Sequence, residues 1–239
     1  LEWGDYPGAI AQANGVLDWI EEEDSNDRDF ALQALATLVL ANTLAGERAE
    51  AERQMQVLAG MATTFPLFDD YTPDRVFALA RGHVALGQYA QAAALLEGDH
   101  YFRLRSWLDQ VFSGAALQGL NYWAWAELPR AYLLAKCRLE LGRWEQAQAD
   151  IDRLLAIPVA RNNGEIYWLM LYDRGRIAEH QGDLAQAAKW YRQAIDVIER
   201  QRATIHTEIN KIGFAADKQA VYAALVRVSV DSAQAEQAF

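Results

Sequence analysis

Residues 75–98 read RVFALARGHVALGQYAQAAALLEG, and the reading of this stretch decides the fold. Val76, Leu79, Ala80 and His83 fall at i, i+3, i+4 and i+7, the spacing of one face of an α-helix. Gly87 is the stop, because a helix end of this kind needs a left-handed residue and a Cβ there is costly. A second helix then resumes, with Ala92 and Leu96 on its inner side. The stretch predicts a helix, a tight turn and a second helix folded back on the first.

The same pattern recurs on both sides. GDYPGAI begins at Gly4, GERAEAE at Gly46, GRWEQAQ at Gly142 and GDLAQAA at Gly182. From Gly4 through Gly46, Gly87 and Gly142 to Gly182 the intervals are 42, 41, 55 and 40 residues. A period near forty with one longer gap marks a repeat array. Each unit is a helical hairpin that cannot bury its apolar face alone and must stack on its neighbours. In AYLLAKCRLELG the register puts Ala131, Leu134, Ala135 and Arg138 inside, followed by Ala147, Ile151 and Leu154. The next copy supplies Leu171, Arg174, Gly175 and Ala178, then Ala187, Tyr191 and Ala194. Small residues stand where antiparallel helices must approach closely: Ala80, Ala135 and Gly175 on first helices, Ala92, Ala147 and Ala187 on second ones.

This pattern resembles the tetratricopeptide repeat (TPR), through the small positions, the turn glycine and the aromatic two residues after it (Tyr6, Tyr89, Trp144). It departs from that pattern at His83, Arg138 and Arg174, where apolar or aromatic residues are commoner, and only Pro158 approximates the closing proline. The resemblance implies an all-α, TPR-like α-solenoid of antiparallel helix pairs forming a right-handed superhelix. Residues 1–239 are then one solenoid fragment. It comprises a half repeat at 1–20, repeats at about 30–60, 73–98, 128–158 and 165–200, and a truncated last repeat from 217. GDYPGAIAQANGVLDWI reads as a second helix, with Ala9, Ala13 and Val16 at inner positions. Its first helix is expected upstream in a longer protein.

Between the second and third full repeats a helical insertion is expected at about 99–127. Tyr101, Phe102, Leu104, Trp107, Leu108, Val111 and Phe112 would cover one broad helical face. Trp123 and Trp125 precede Pro129, which suits the start of the next helix. Two readings stand here: an insertion rich in aromatic anchors for binding, or a degenerate repeat whose rings fill the core. Further on, Asp217 is expected to cap a helix running through Val221, Tyr222, Leu225 and Val226. Ile198, Glu199 and Arg202, then Lys211-Ile212-Gly213-Phe214 and Asp217-Lys218-Gln219-x-Val221-Tyr222, resemble the final repeats preceding a CHAT domain in bacterial TPR–CHAT proteins. CHAT domains are caspase-like, with a His/Cys dyad in active members, and none of that domain is present in these 239 residues.

Composition removes several classes of function. The formal charge is −11, from 33 acidic and 22 basic residues, which argues against binding a phosphate backbone and so against a nucleic-acid partner. The most apolar run, Phe30 to Gly46, is broken by Gln33, Thr37, Asn42 and Thr43 and is too short and polar to span a bilayer. Cys137 is the only cysteine, so there is no internal disulfide and no cysteine-based zinc site, and a packed thiol is expected. His83, His100, His180 and His206 lie far apart, with no H-E-x-x-H spacing. Neither G-x-S-x-G, a P-loop nor G-x-G-x-x-G occurs. No catalytic, cofactor-binding or metal-binding residue is expected.

A binding groove is expected instead. The TPR resemblance implies that first helices line a concave face. Six residues before the turn glycine stand Arg81, Lys136 and Arg176, and by alignment Arg227. Four residues earlier stand Phe77, Tyr132 and Tyr172. Basic residues one helical turn from aromatics suit an extended acidic or aromatic-containing segment. The competing reading is ordinary surface pairing of Lys136 with Glu140, Arg176 with Glu179 and Arg227 with Asp231, with Arg81 alone lacking a partner. The expectation is therefore a non-catalytic interaction and scaffolding module of a bacterial, cytoplasmic protein. It would recognise a protein or peptide, an acidic segment or the parent's own CHAT domain, and self-associate through an N-terminal face of Ala9, Ile10, Ala13 and Val16. The alternatives are the sensor arm of a transcription regulator and an α/α-toroid enzyme, the latter opposed by the forty-residue period.

Overall fold

Gly87 has φ of +75°, and its N–H donates to the Val84 carbonyl at 3.0 Å while that of Gln88 donates to His83 at 2.7 Å. This pair of bonds satisfies carbonyls that the helix end leaves open, and it reverses the chain within three residues. Gly46, Gly142 and Gly182 have φ of +84°, +74° and +79° and carry the same pair of bonds. At each of the four glycines the next helix starts two residues later.

The computed structural model describes residues 5–23, 27–61, 71–100, 121–203 and 218–237. Among them there are ten α-helices and no strand, so the described residues are all-helical, as expected. In order they are α1 (Tyr6–Glu22), α2 (Arg28–Leu44), α3 (Arg48–Gly60), α4 (Tyr71–Ala85) and α5 (Tyr89–Gly98). Then follow α6 (Asn121–Glu140), α7 (Trp144–Leu155), a 3₁₀ turn (Pro158–Asn162), α8 (Gly164–His180), α9 (Leu184–Arg202) and α10 (Gln219–Gln237). Side chains start several of them: Asp5, Asp27, Asn163 and Asp183 each accept from the backbone N–H three residues on. None of the described helices is long and apolar enough to cross a membrane. Helices α1–α5 form one compact unit and α6–α10 another.

In the first unit, Leu32, Leu35, Ala36 and Val39 of α2 pack with Ala51, Met55 and Leu58 of α3, with Ala78 and Leu79 of α4 and with Leu86 in the turn after it. Helix α1 lays Ile10, Ala13 and Leu17 on Ala34 and Leu38 of α2. Val16, expected inside, is exposed, as is Trp19. The buried stripe of α1 is the one that meets α2, so Leu17 takes the inner place.

In the second unit, Leu128, Tyr132, Ala135 and Leu139 of α6 pack with Ala147, Ile151 and Leu154 of α7 and with Met170 and Ile177 of α8. A further layer joins Trp168 and Leu171 of α8 to Ala194, Val197 and Ile198 of α9 and Val221 of α10. Helix α10 runs through Val221, Tyr222, Leu225 and Val226 as expected; it buries Val221, Ala224 and Val228, at i, i+3 and i+7, and leaves Val226 exposed. Pro129, expected at a helix start, falls inside α6. Its turn is held by the buried side chains of Leu128 and Tyr132, which offset the hydrogen bond that proline cannot donate. Cys137 is a fully buried core residue. The aromatics Tyr101 to Phe112, Asp217 and the 211–214 stretch lie outside the described residues.

The small positions behave as close approaches require. Ala80, Ala135, Ala51, Ala92, Ala147 and Ala187 have no exposed surface at all. At Gly175 a Cβ would sit 2.4 Å from Cε1 of Tyr191, so the second helix's ring occupies the space that any side chain would need. The residues that depart from the repeat pattern are polar and each finds a polar partner, although one nitrogen of Arg138 and one of Arg174 are buried without a hydrogen bond among the described residues. Arg138 of α6 pairs with the buried Asp150 of α7, and Arg174 of α8 binds Asp152 at 2.7 Å and lies over the Trp190 ring. His83 Nδ1 is 2.7 Å from the Gln88 side-chain oxygen.

Candidate functional site

The second unit draws Tyr132, Lys136, Tyr172, Arg176 and Arg227 into one polar cluster, organised by carboxylates. Asp173 of α8 is fully buried. It accepts from the Tyr132 hydroxyl at 2.7 Å, from Lys136 Nζ at 2.9 Å and from Arg176 at 3.0 Å. A carboxylate stripped of water costs several kcal/mol, and three donors are what offset it. Glu140, at the end of α6, accepts from Lys136 at 3.0 Å and from Arg176 at 2.6 and 3.4 Å. Glu179, on α8, takes the Arg227 guanidinium through two bonds of 3.0 Å and the Tyr191 hydroxyl at 2.7 Å. The Arg176 guanidinium lies 6.0 Å over the Tyr172 ring, itself 5.7 Å from that of Tyr191.

Three cations thus face three carboxylates, and the formal charge of the cluster is zero. The electrostatics follow. Burial works against the charge on Lys136, but Asp173 outweighs it and the ammonium is held above its ordinary range. Arg176 is likewise desolvated and likewise raised, by Glu140 and Asp173. Burial also pushes Glu140 upward, yet Arg176 and Lys136 bring it below the usual carboxylate value. Burial first, and Asp173 second, drive the Tyr132 hydroxyl well above the tyrosine range, so it stays protonated and donating.

Two expectations are corrected here. Tyr132, expected to line a surface, is only 6% exposed and belongs to the core. Of the surface pairs, Lys136–Glu140 is present, but Arg176 reaches across to Glu140 of α6 and Arg227 reaches across to Glu179 of α8. In both cases the carboxylate on the adjacent helix meets two N–H groups of the guanidinium. Of the groups that organise the cluster, Asp173 was not singled out in the sequence, while Glu140 and Glu179 were named only as surface partners and Tyr191 only as an inner position. The available signal was a carboxylate at position 173, nine residues before the turn glycine, where the two preceding repeats carry apolar Leu133 and Ala78.

In the first unit Arg81 stands on α4 with its guanidinium 5.8 Å from the Phe77 ring centre. It is half-buried, and burial alone lowers its pKa. No carboxylate pairs with it among the described residues. Nor, among those residues, do three or more His, Cys, Asp or Glu side chains converge as a metal-binding group. Comparison of the chain with protein-family models, with curated proteins and with solved structures found no match.

Proposed function

We propose that this chain is a TPR-like solenoid module that holds another polypeptide and performs no chemistry of its own. The observation that carries the proposal is the repetition of one hairpin closure. Four glycines of positive φ bear the same two backbone bonds, and small residues in register around them are fully buried. Hairpins built alike present alike faces, and stacking such faces is how a helical array covers its core and leaves an extended surface for binding. The resemblance of the 198–222 region to repeats that precede CHAT domains supports a bacterial setting. There the module would recognise a partner segment or regulate a caspase-like domain.

The test is to express the chain with the polypeptide encoded downstream of it and follow both through size-exclusion chromatography with small-angle X-ray scattering. An open superhelix that co-elutes with a caspase-like domain is the expected result. A closed ring would overturn the solenoid, and independent elution would overturn the regulatory role.

A further inference from the structure

The cation that stands six residues before Gly87, Gly142 and Gly182 is not the same chemical object in the two units. In the second unit Lys136, Arg176 and Arg227 are each bound by Asp173, Glu140 or Glu179. Counted back from the turn glycine, Asp173 stands at nine residues, Glu179 at three and Glu140 at two. Counted back from Gly87, the same positions hold Ala78, Val84 and Ala85. In the Gly87 repeat the cation Arg81 stands with aliphatic residues at all three of these positions, whereas each repeat of the second unit has at least one carboxylate among them. An arginine cannot escape by losing its proton. A guanidinium half withdrawn from water, backed by the Phe77 ring and with no carboxylate partner among the described residues, has its two-pronged donor set to offer.

We propose that Arg81, with Phe77 behind it, is the anion-recognising point of this chain and takes a single Asp or Glu carboxylate from a bound protein segment. The cations of the second unit are structural and take no part in this contact. The inference deepens the reading of the chain as a segment-binding module and rests on it. It replaces an extended basic ladder with one site. The occupant is a carboxylate from protein, because a chain of formal charge −11 repels a polyphosphate far more than a single side chain.

The experiment uses an acetylated, amidated peptide of alternating Glu and Ala as probe, with its Gln counterpart as reference. Binding is read from the arginine Nε–Hε resonances and by calorimetry at physiological salt. The Glu peptide is expected to shift the Arg81 resonance, and the Gln peptide is not. Arg81→Gln should weaken binding about tenfold or more, the loss of one charge-assisted contact, with an unchanged melting temperature. Arg200→Gln, on an exposed position of α9, should leave it within about twofold. No shift at Arg81, equal loss in both variants, or an equal response to inorganic phosphate would each overturn the assignment. Co-elution with the downstream polypeptide is a separate measurement. A chain that passes that test and fails this one loses only the role given to Arg81.

Discussion

Gly175 offers the sharpest test of the packing, because its substitution by alanine should change sign with the residue opposite. Alanine in a helix interior is favoured over glycine by about 1 kcal/mol, so Gly175→Ala would stabilise an uncrowded helix. Here the new Cβ would lie 2.4, 2.6 and 3.0 Å from Cε1, Cδ1 and Cζ of Tyr191. Ordinary carbon contact needs about 3.5–4.0 Å, so the ring must retreat by roughly 1 Å or the helices must part. The ring is fully buried, and its hydroxyl is tied to Glu179 at 2.7 Å. Overpacking of this kind costs about 1–3 kcal/mol, and loss of a hydrogen bond to a charged group costs about 1.5–3 kcal/mol. Net of the helix gain, we expect a destabilisation of about 1–3 kcal/mol. Tyr191→Val ends at Cγ and removes all three clashing atoms. In that background Gly175→Ala should stabilise by up to about 1 kcal/mol. Urea denaturation of the four proteins, followed by circular dichroism, closes the cycle. If Gly175→Ala stabilises the parent chain, or has the same effect in both backgrounds, the close approach of α8 and α9 has been misread.

Ala147→Leu and Ala187→Leu insert branched side chains at fully buried crossings and should each cost about 1–3 kcal/mol; thermal melts unmoved by both would refute the repeat register. Asp173→Ala strips Lys136 and Arg176 of their buried acceptor and should cost about 3–5 kcal/mol by urea denaturation, so a loss below about 1 kcal/mol would show the network to be slack. Glu140 and Glu179 are both held below the ordinary carboxylate value: burial opposes this at each, and is outweighed at Glu140 by Arg176 and Lys136 and at Glu179 by Arg227 and Tyr191. The folded chain therefore binds fewer protons than the unfolded one. Their contribution is complete above about pH 4.5 and is lost as pH falls through the depressed values, so the melting temperature should decline below that pH and decline less in Glu140→Gln and Glu179→Gln. An acid limb identical in these variants would exclude both groups.

What could be read from the sequence was what a helix settles within itself. Gly87 and its three counterparts were legible because a left-handed helix end leaves few other residues eligible. Ala80, Ala135, Ala147 and Ala187 were legible because spacing along one helix reveals its inner face. Depth and partnership were not. Phe77, Tyr132 and Tyr172 share one register position, yet Tyr132 alone is in the core, since its hydroxyl meets Asp173 from the next hairpin. The i,i+3 and i,i+4 rules found Lys136–Glu140 but misdirected Arg176 and Arg227. Arg176 pairs within its helix backward to Asp173 rather than forward to Glu179, and its contact with Glu140, like that of Arg227 with Glu179, is set by how adjacent helices stagger, which no single helix records. Val16 failed for the same reason, because the buried stripe of α1 depends on α2.

The three-residue glycine turns also bear on how the chain is made. Each turn folds a helix against its immediate successor, and such local contacts form quickly, long before distant parts of the sequence exist. Synthesis proceeds at roughly 5–20 residues per second, so α4 and α5 can meet across Gly87 while everything after Gly98 is still untranslated. A nascent chain arrested shortly after Gly98 has emerged should already be protected from protease between α4 and α5. The apolar faces are then covered hairpin by hairpin at the ribosome, and a growing chain rich in Trp, Leu and Val never presents them all to solvent at once.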